Sequence, residues 1–406
     1  MNINDISAIR RCTSCQLCAA VCPKDAISIS LNENGFYRPF IDSNKCVECG
    51  VCTKVCYKFD DHISIFDAEK LASTVLYGAS VKDPQILAST TSGGIADLLA
   101  SELFYMGYKC VGVVYDSTND IAVNKIAETE DQLLSFRGSK YIQSYTVTAF
   151  KNIIKNCRKE KFAIFGTPCH IYALDKFMRL ANVRNEHILI DLYCHGCPSM
   201  HIWTKYIKLV KQRVCQPKFD NANFRSKIRG WGNFYVELGV NGKTVYNSSN
   251  CSNEFYELFF SDLLLNDACN NCRLRSTLEY TDIRLGDFWG KVYVLNEKGV
   301  SAVSLVSEKA KQLFESIANK IECEVRDYKD FLPWQSWGKE YEPELATRQI
   351  LLEQLKDDRI PLSDSIDYIH NKQNLKSKLT GYGKKIIKSL PVRFEKMVRW
   401  FFYKLH

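Results

Sequence analysis

No run of 18 uninterrupted apolar residues occurs in this sequence, so no stretch of it reads as a membrane-crossing helix. Its opening, MNINDISAIRRCTSC, has no apolar centre of the kind a secretory leader needs. A cytoplasmic setting with reduced thiols follows. No GxGxxG follows a strand-like run, which removes the Rossmann type of dinucleotide site. Low-complexity tracts are missing, and the sole internal repeat is a cysteine motif. Acid is scarce in one place. Residues 371–406 hold ten Lys and Arg against Glu395, while the remainder is almost neutral, with 44 bases and 45 acids. A neutral body argues against a general nucleic-acid surface and singles out the tail.

Cysteine, by contrast, is plentiful: 18 in 406 residues. The chain is 46% hydrophobic and 25% charged, enough for two or three domains with full cores. Eight cysteines form two runs, CTSCQLCAAVC and CVECGVCTKVC. Each has the spacing CxxCxxCxxxC, which wraps three thiolates round one 4Fe-4S cube and sends the fourth to the neighbouring cube. Cys12, Cys15, Cys18 and Cys56 are therefore assigned to one cluster, and Cys46, Cys49, Cys52 and Cys22 to the other. Tetrahedral zinc also accepts CxxC pairs, but explains two complete runs poorly. Pro23 follows the first run and Tyr57 the second, a departure expected to alter the turn but not the ligand count.

Residues 1–66 read as a ferredoxin-type unit ending in a short strand, HISIF. Beyond it, strands and helices alternate: IADLLASELFYMG as helix, KCVGVVYD as strand, TEDQLLSF as a short helix with a Thr-x-x-Gln capping box, AFKNIIKNCRKEK as helix and FAIFG as strand. HIYALDKFMRLA then reads as helix, HILIDLY as strand and SMHIWTKYIKLVKQRV as helix, giving an α/β layer with a largely parallel sheet. Asn241-Gly242 marks a type I′ hairpin between NFYVELGV and KTVYNSS. Residues 255–266 read as helix, YTDIRLG and SAVSLVS as strands, and EKAKQLFESIANK as helix. The expected architecture is α+β and α/β: a two-cluster ferredoxin-like domain (1–66), a mixed α/β flavin-binding domain in two parts (67–165 and 166–345), and a helical basic tail (346–406).

A second group of cysteines lies at telling places. Cys169 in GTPCH and Cys194 in YCHGCPS each follow a strand, at the edge where open α/β sheets bind ligands. ACNNC adds Cys269 and Cys272. These four could hold a third cluster or a metal, with Cys197 as a substitute ligand, or could be ordinary buried thiols. Cys110, Cys157, Cys215, Cys251 and Cys323 read as plain core or surface thiols. His170 and His195, each next to a candidate ligand, could donate a proton or could be plain loop histidines. Thr91-Ser92-Gly93-Gly94 opens a helix, a natural anion site or a simple N-cap. Arg137-Gly138-Ser139-Lys140-Tyr141 sets two cations, a hydroxyl and an aromatic beside a glycine, which could grip a pyrophosphate and stack a ring. GDFWG (286–290) is a tight turn with one acid and two aromatics.

TTSGG, RGSKYIQS, GTPCH, DLYCHGCPS, CNNC and GDFWG, taken in that order, resemble the beta-subunit family of coenzyme F-420 hydrogenases and dehydrogenases. Relatives of that family include a chlorophyll-cycle hydroxymethyl reductase and proteins encoded among polysaccharide-synthesis genes. The resemblance spans about residues 1–340. It implies a flavoprotein oxidoreductase that takes electrons from a ferredoxin-like donor through iron–sulfur clusters to FAD, and on as hydride to a small-molecule acceptor. It implies that Ser92, Gly93, Gly94, Arg137 to Tyr141 and Thr167 lie near FAD, and that Cys169, Cys194, Cys269 and Cys272 belong to the redox site. Cys197 departs from the small apolar residue expected there. The alternative is an electron-transfer subunit serving a separate catalytic partner. In the tail, Ile386, Ile387, Leu390, Phe394, Met397, Val398, Phe401 and Leu405 share a helical face among bases, so residues 372–406 suit an anionic membrane surface or a packing partner.

Overall fold

The computed structural model describes residues 1–250 and 253–372, together with Ile387, Phe394, Glu395, Met397, Val398, Trp400 and Phe401. Cys251 and, apart from Lys372 and those seven positions, the amphipathic stretch 372–406 lie outside the described residues. Among the described residues no helix is long and apolar enough to cross a membrane.

Between the two cysteine runs lies an antiparallel hairpin, β1 (Ile27–Leu31) and β2 (Tyr37–Ile41). The body then lays down β3 (Val75–Val81), β4 (Lys109–Asp116), β5 (Ile121–Ile126), β6 (Ser144–Tyr145), β7 (Phe162–Phe165) and β8 (Ile188–Leu192). A separate three-stranded sheet follows, β9 (Asn221–Asn223), β10 (Glu237–Val240) and β11 (Lys243–Asn247). Its hairpin turns at Asn241 and Gly242, both left-handed as a type I′ turn requires. The chain returns to the body for β12 (Ile283–Asp287), β13 (Ser301–Leu305) and β14 (Ile321–Arg326).

Nine of these strands form one sheet in the order β14-β3-β13-β12-β8-β7-β4-β5-β6. The centre, β12-β8-β7-β4, is parallel. The β13, β3 and β14 pairings and the β4–β5 pairing are antiparallel. The largely parallel sheet expected from the sequence therefore holds at its middle and in the short β5–β6 pairing at one edge. Helical crossovers keep the middle strands parallel, whereas β12 and β13 are joined without a helix and double back.

Strands β7 and β8 are apolar along their length because both faces are covered. Ala163, Ile188 and Ile190 enter one core with Leu99 and Leu103 of helix Ile95–Tyr105. Phe162, Ile164 and Leu189 enter the opposite core with Phe150, Ile171 and Met178. The cysteine unit contributes Leu17, Val55, Tyr57 and Ile63 to this second core. It is thus packed onto the body rather than tethered to it. Two glutamines reinforce the join. The Gln16 amide donates to Ser144 O (2.8 Å) and accepts from Thr146 N (2.9 Å), so a side chain pairs with the end of the sheet as a strand would. Gln143 accepts from Tyr37 N (3.1 Å) and donates to Gly35 O (2.7 Å) and Pro198 O (3.1 Å). Gln143→Leu strands these buried backbone groups and should cost about 2–3 kcal/mol, read as a lower urea midpoint; an unchanged midpoint would show that the staple contributes nothing to stability.

Three local expectations change. HISIF forms no ladder: Ile63 is buried, and Phe66 N donates once, to Ser276 O (2.8 Å). Gln132 caps the short helix through Glu128 N (2.8 Å) rather than Thr129 N. The helix read at 255–266 spans Glu254–Phe259, because Asp262 turns left-handed and the chain runs into a bridge between Pro198 and Leu265.

Candidate metal centre

The two cysteine runs fold alike. Ser14 and Gln16 in the first, Glu48 and Gly50 in the second, are left-handed at matching positions, and a short helix follows each pair. Only one of the four is glycine, and each of the others costs about 1 kcal/mol or more. Such repeated strain turns successive thiols toward a common centre.

Cys12, Cys15, Cys18 and Cys56 line one cavity with Ile3, Leu17, Ile29, Tyr37, Pro39 and Val55. Its open space is about 380 Å³, part of it continuous with solvent. Cys18 lies within electrostatic reach of Cys12, Cys15 and Cys56, and Cys52 within reach of Cys49 and Cys22. The structure thus brings Cys56 to the first three thiols of the other run and Cys22 to Cys52, with Cys18 and Cys52 also within reach of each other and Cys46 held on its loop by a turn onto Asp42 O (3.0 Å). Burial pushes the Cys15 thiol up to about 11 and Cys18 well above its usual value, and neighbouring thiols push in the same direction. Four soft donors gathered where thiolates are costly fit an iron–sulfur cube, whose positive iron offsets that cost. A tetrahedral ion would need four sulfurs about 2.3 Å from one point; among the described residues no three His, Cys, Asp or Glu side chains close on such a point.

The second group is also brought together. Cys169 lies within reach of Cys194 and Cys269, and Cys194 within reach of Cys272. Cys197 faces Cys194 and Cys269. Burial raises Cys194 to about 11 and Cys269 to about 12. Thr167 touches this group rather than standing apart: its Oγ1 is 3.2 Å from Cys169 Sγ. The group also meets the N-terminal unit. Cys169 is within reach of Cys15, and Tyr57, next after Cys56, accepts from Arg273 N (3.1 Å), one residue past Cys272. The tyrosine that replaces a second proline is therefore a buried link to the body.

Residues 11–58 match the 4Fe-4S dicluster domain. Residues 159–330 match the C terminus of the coenzyme F420 hydrogenase/dehydrogenase beta subunit. The chain is similar to that beta subunit over this region. It is 24% identical over 314 residues to a subunit of the F(420)H(2) dehydrogenase of Methanosarcina mazei, covering 73% of this chain and 82% of that one. It is also 24% identical over 243 residues to the beta subunit of the coenzyme F420 hydrogenase of Methanococcus voltae, covering 57% and 80%. A structure of the F420-reducing [NiFe] hydrogenase complex from Methanosarcina barkeri is similar at 16% identity and a TM-score of 0.46, covering 77% of this chain and 92% of that one.

The two loops read as flavin contacts lie side by side, with Ser139 N donating to Thr91 Oγ1 (2.9 Å). Their donors are engaged internally. Arg137 grips Asp97 through two bonds (2.6 and 2.9 Å), and Lys140 Nζ donates to the carbonyls of Ser135, Phe136 and Arg137. The Tyr141 hydroxyl accepts from Arg225 (2.9 Å), and its ring packs edge-on against Phe234, Tyr256 and Phe259. Ser92 Oγ donates to Val300 O (2.9 Å) and Gly93 N to Ser301 Oγ (3.0 Å). A Cβ on Gly93 would sit 2.3 Å from Ala79 O, so glycine is required there for the close approach of strands. Gly94 is left-handed and caps helix Ile95–Tyr105, while Gly138, also left-handed, has open space round its Cα. As arranged, the side chains of Ser92, Arg137, Lys140 and Tyr141 are all bonded within the protein.

His170 is buried, held neutral at about 4 by burial, with its Nδ1 unpaired and its ring on Phe150. It is no proton donor near neutral pH. His195 is half-exposed and bonded to Asp262 Oδ1 (2.7 Å), and reaches Ser336 and Tyr341. Cys110 and Cys157 are buried, and Cys215 and Cys323 exposed.

Sequence reading missed the guanidiniums. Arg284, in β12, pairs with Asp191, its register partner in β8, through both nitrogens, and donates to Leu274 O and Arg275 O. Arg275 donates to Cys269 O and Lys339 O. The available signal was charge inside two largely apolar strands, Asp191 in HILIDLY and Asp282 and Arg284 in YTDIRLG. Lys227, which holds the carbonyls of Leu87, Ser92 and Lys298, left no such mark.

Proposed function

We propose that this chain is an iron–sulfur electron-transfer subunit that passes single electrons between a small ferredoxin-like carrier and a separate catalytic partner. Its relatives are named as subunits, of an F(420)H(2) dehydrogenase and of a coenzyme F420 hydrogenase, which supports a partner-dependent role. The observation that carries the reading is the order of the thiol groups. Cys49 is exposed and Cys52 buried; the inner group lies behind them, and Cys169 of the body is within reach of Cys15. Cys22, Cys46, Cys49 and Cys52 would hold the outer cluster, and Cys12, Cys15, Cys18 and Cys56 the inner one. Cys169, Cys194, Cys269 and Cys272 would hold a third centre, with Cys197 beside them. Such clusters carry one electron at a time without proton transfer. The chain's part is to space them, to wall the inner cavity with Ile3, Leu17 and Val55, and to leave Cys49 of the outer group exposed.

A second reading, an FAD-dependent reductase acting on a small molecule such as a glycan precursor, has one observation in its favour. The loops bearing Ser92–Gly94, Thr167–Cys169 and Cys194 all leave the same edge of the sheet, the carboxyl ends of β3, β7 and β8 or the turns beside them. It requires Arg137 to leave Asp97. Anaerobic purification separates the two. About twelve irons per chain without flavin, and reduction of a viologen dye without turnover of small molecules, is the expected result. Stoichiometric flavin with partner-free turnover would replace the first reading by the second. Binding of residues 372–406 to anionic vesicles, tested by truncation, would place either activity beside a membrane.

A further inference from the structure

The inner and body thiol groups differ in the charge around them. Apart from the four cysteines, the inner cavity is lined by Ile3, Thr13, Ser14, Gln16, Leu17, Ile29, Tyr37, Pro39 and Val55, none of them charged. Two cations approach it from outside: Lys58, which reaches Cys56 while its Nζ donates to Ile3 O (2.7 Å), and Arg38, which donates to Ser14 Oγ (2.5 Å) and Tyr37 O (3.0 Å).

The body group is set among guanidiniums. Arg284 is buried beside Cys194, but Asp191 neutralises it. Arg275 is 5% exposed and has no carboxylate partner among the described residues. It donates to Cys269 O and Lys339 O and lies 4.8 Å over the ring of Tyr341. Its charge reaches both Cys194 and Cys269. Arg38, likewise without a carboxylate, donates to Asn266 Oδ1 (3.3 Å) and is within electrostatic reach of Cys197, but it stands between the two groups and is not particular to either.

Adding an electron makes a thiolate-bound centre more negative. An uncompensated cation in a low-dielectric wall stabilises that reduced form and raises the potential. We propose that Arg275 makes the body thiol group the electron sink of this chain, setting its potential above that of the inner group so that electrons run inward from the N-terminal unit. In each transfer the inner centre is oxidised by one electron and the body centre reduced by one, with no bond made or broken. The inference rests on the reading that the body group holds a centre.

The test is a redox titration of the full, anaerobically purified chain, followed by low-temperature EPR, with iron counted in every sample. Arg275→Gln should lower the body centre's reduction equilibrium about tenfold, or about 59 mV for a one-electron couple. Arg275→Lys should keep it nearly unchanged, and the inner centre should move in neither. Arg275→Met, which keeps an apolar stem over the Tyr341 ring without the charge, should shift the body centre in the same direction as Arg275→Gln and decides the matter if the Gln variant fails to fold. An unmoved body midpoint in an iron-complete Gln variant overturns the inference alone, as does an equal fall in the Lys variant. Only about eight irons in the wild type, unaffected by Cys194→Ser, would show that the body group holds no centre, and both readings would fall.

Discussion

Cys56→Ser should strip the inner cluster and spare the outer one, although Cys56 belongs to the run that supplies Cys46, Cys49 and Cys52. The reason is geometric. Cys56 shares a cavity wall with Cys12, Cys15 and Cys18, and feels Cys15 and Cys12. Cys52 instead feels Cys49 and Cys22. The variant should lose about four irons per chain, with the EPR signal of the outer cluster retained. Stability should fall as well. The inner cavity is framed by Leu17 and Val55, which also pack into the core beneath β7 and β8, and binding energy at a site that forms only in the folded chain is folding energy. Cys22→Ser is the mirror experiment. It should remove the outer cluster and leave the inner signal, although Cys22 and Cys56 pack against the same small apolar cluster of Ile3, Cys18 and Cys52. Loss of the same signal in both variants would refute the crossed assignment.

What was legible in the sequence was whatever a short stretch of chain decides by itself. The CxxCxxCxxxC spacing fixed eight thiols because a cube needs three ligands from one tight loop. Asn241-Gly242 specified its turn because few residues tolerate two left-handed positions in succession. FAIF and ILIDL read as buried strands because cores on both faces demand apolar residues throughout. Sheet direction was less legible, since it depends on whether a link is a helix or a loop, and the β12 to β13 link leaves no helical period to read. Arg137 and Lys140 suggested an anion grip because charge beside glycine looks free in a sequence. Asp97 lies 40 positions from Arg137, and nothing local announces that it takes the guanidinium. Gln16 and Gln143 were invisible for a similar reason: their partners are backbone atoms, which every residue has.

The largest loss of stability should come from Arg284→Leu. Arg284 is 2% exposed and Asp191 1%, and Nε to Oδ1 is 2.8 Å. Removing the cation leaves a carboxylate in the core, at a cost of about 3–5 kcal/mol. Burial already raises the pKa of Asp191, and Arg284 opposes that rise. Without Arg284 the folded carboxyl would titrate higher still. A folded pKa above the unfolded one contributes stability that is present at low pH and lost as pH rises through the folded value. The deficit of the variant should therefore be smallest near pH 4 and grow toward neutrality, measurable as urea midpoints across that range. Asp191→Leu with Arg284→Leu should recover most of the loss, since an apolar pair often equals a buried ion pair. Iron at the body thiols should not recover with it. Arg284 also holds Leu274 O and Arg275 O, the loop that follows Cys272, and leucine cannot. Stability regained without iron regained would assign the pair to holding the thiols in place; iron regained in the double variant would show that the loop keeps its position unaided.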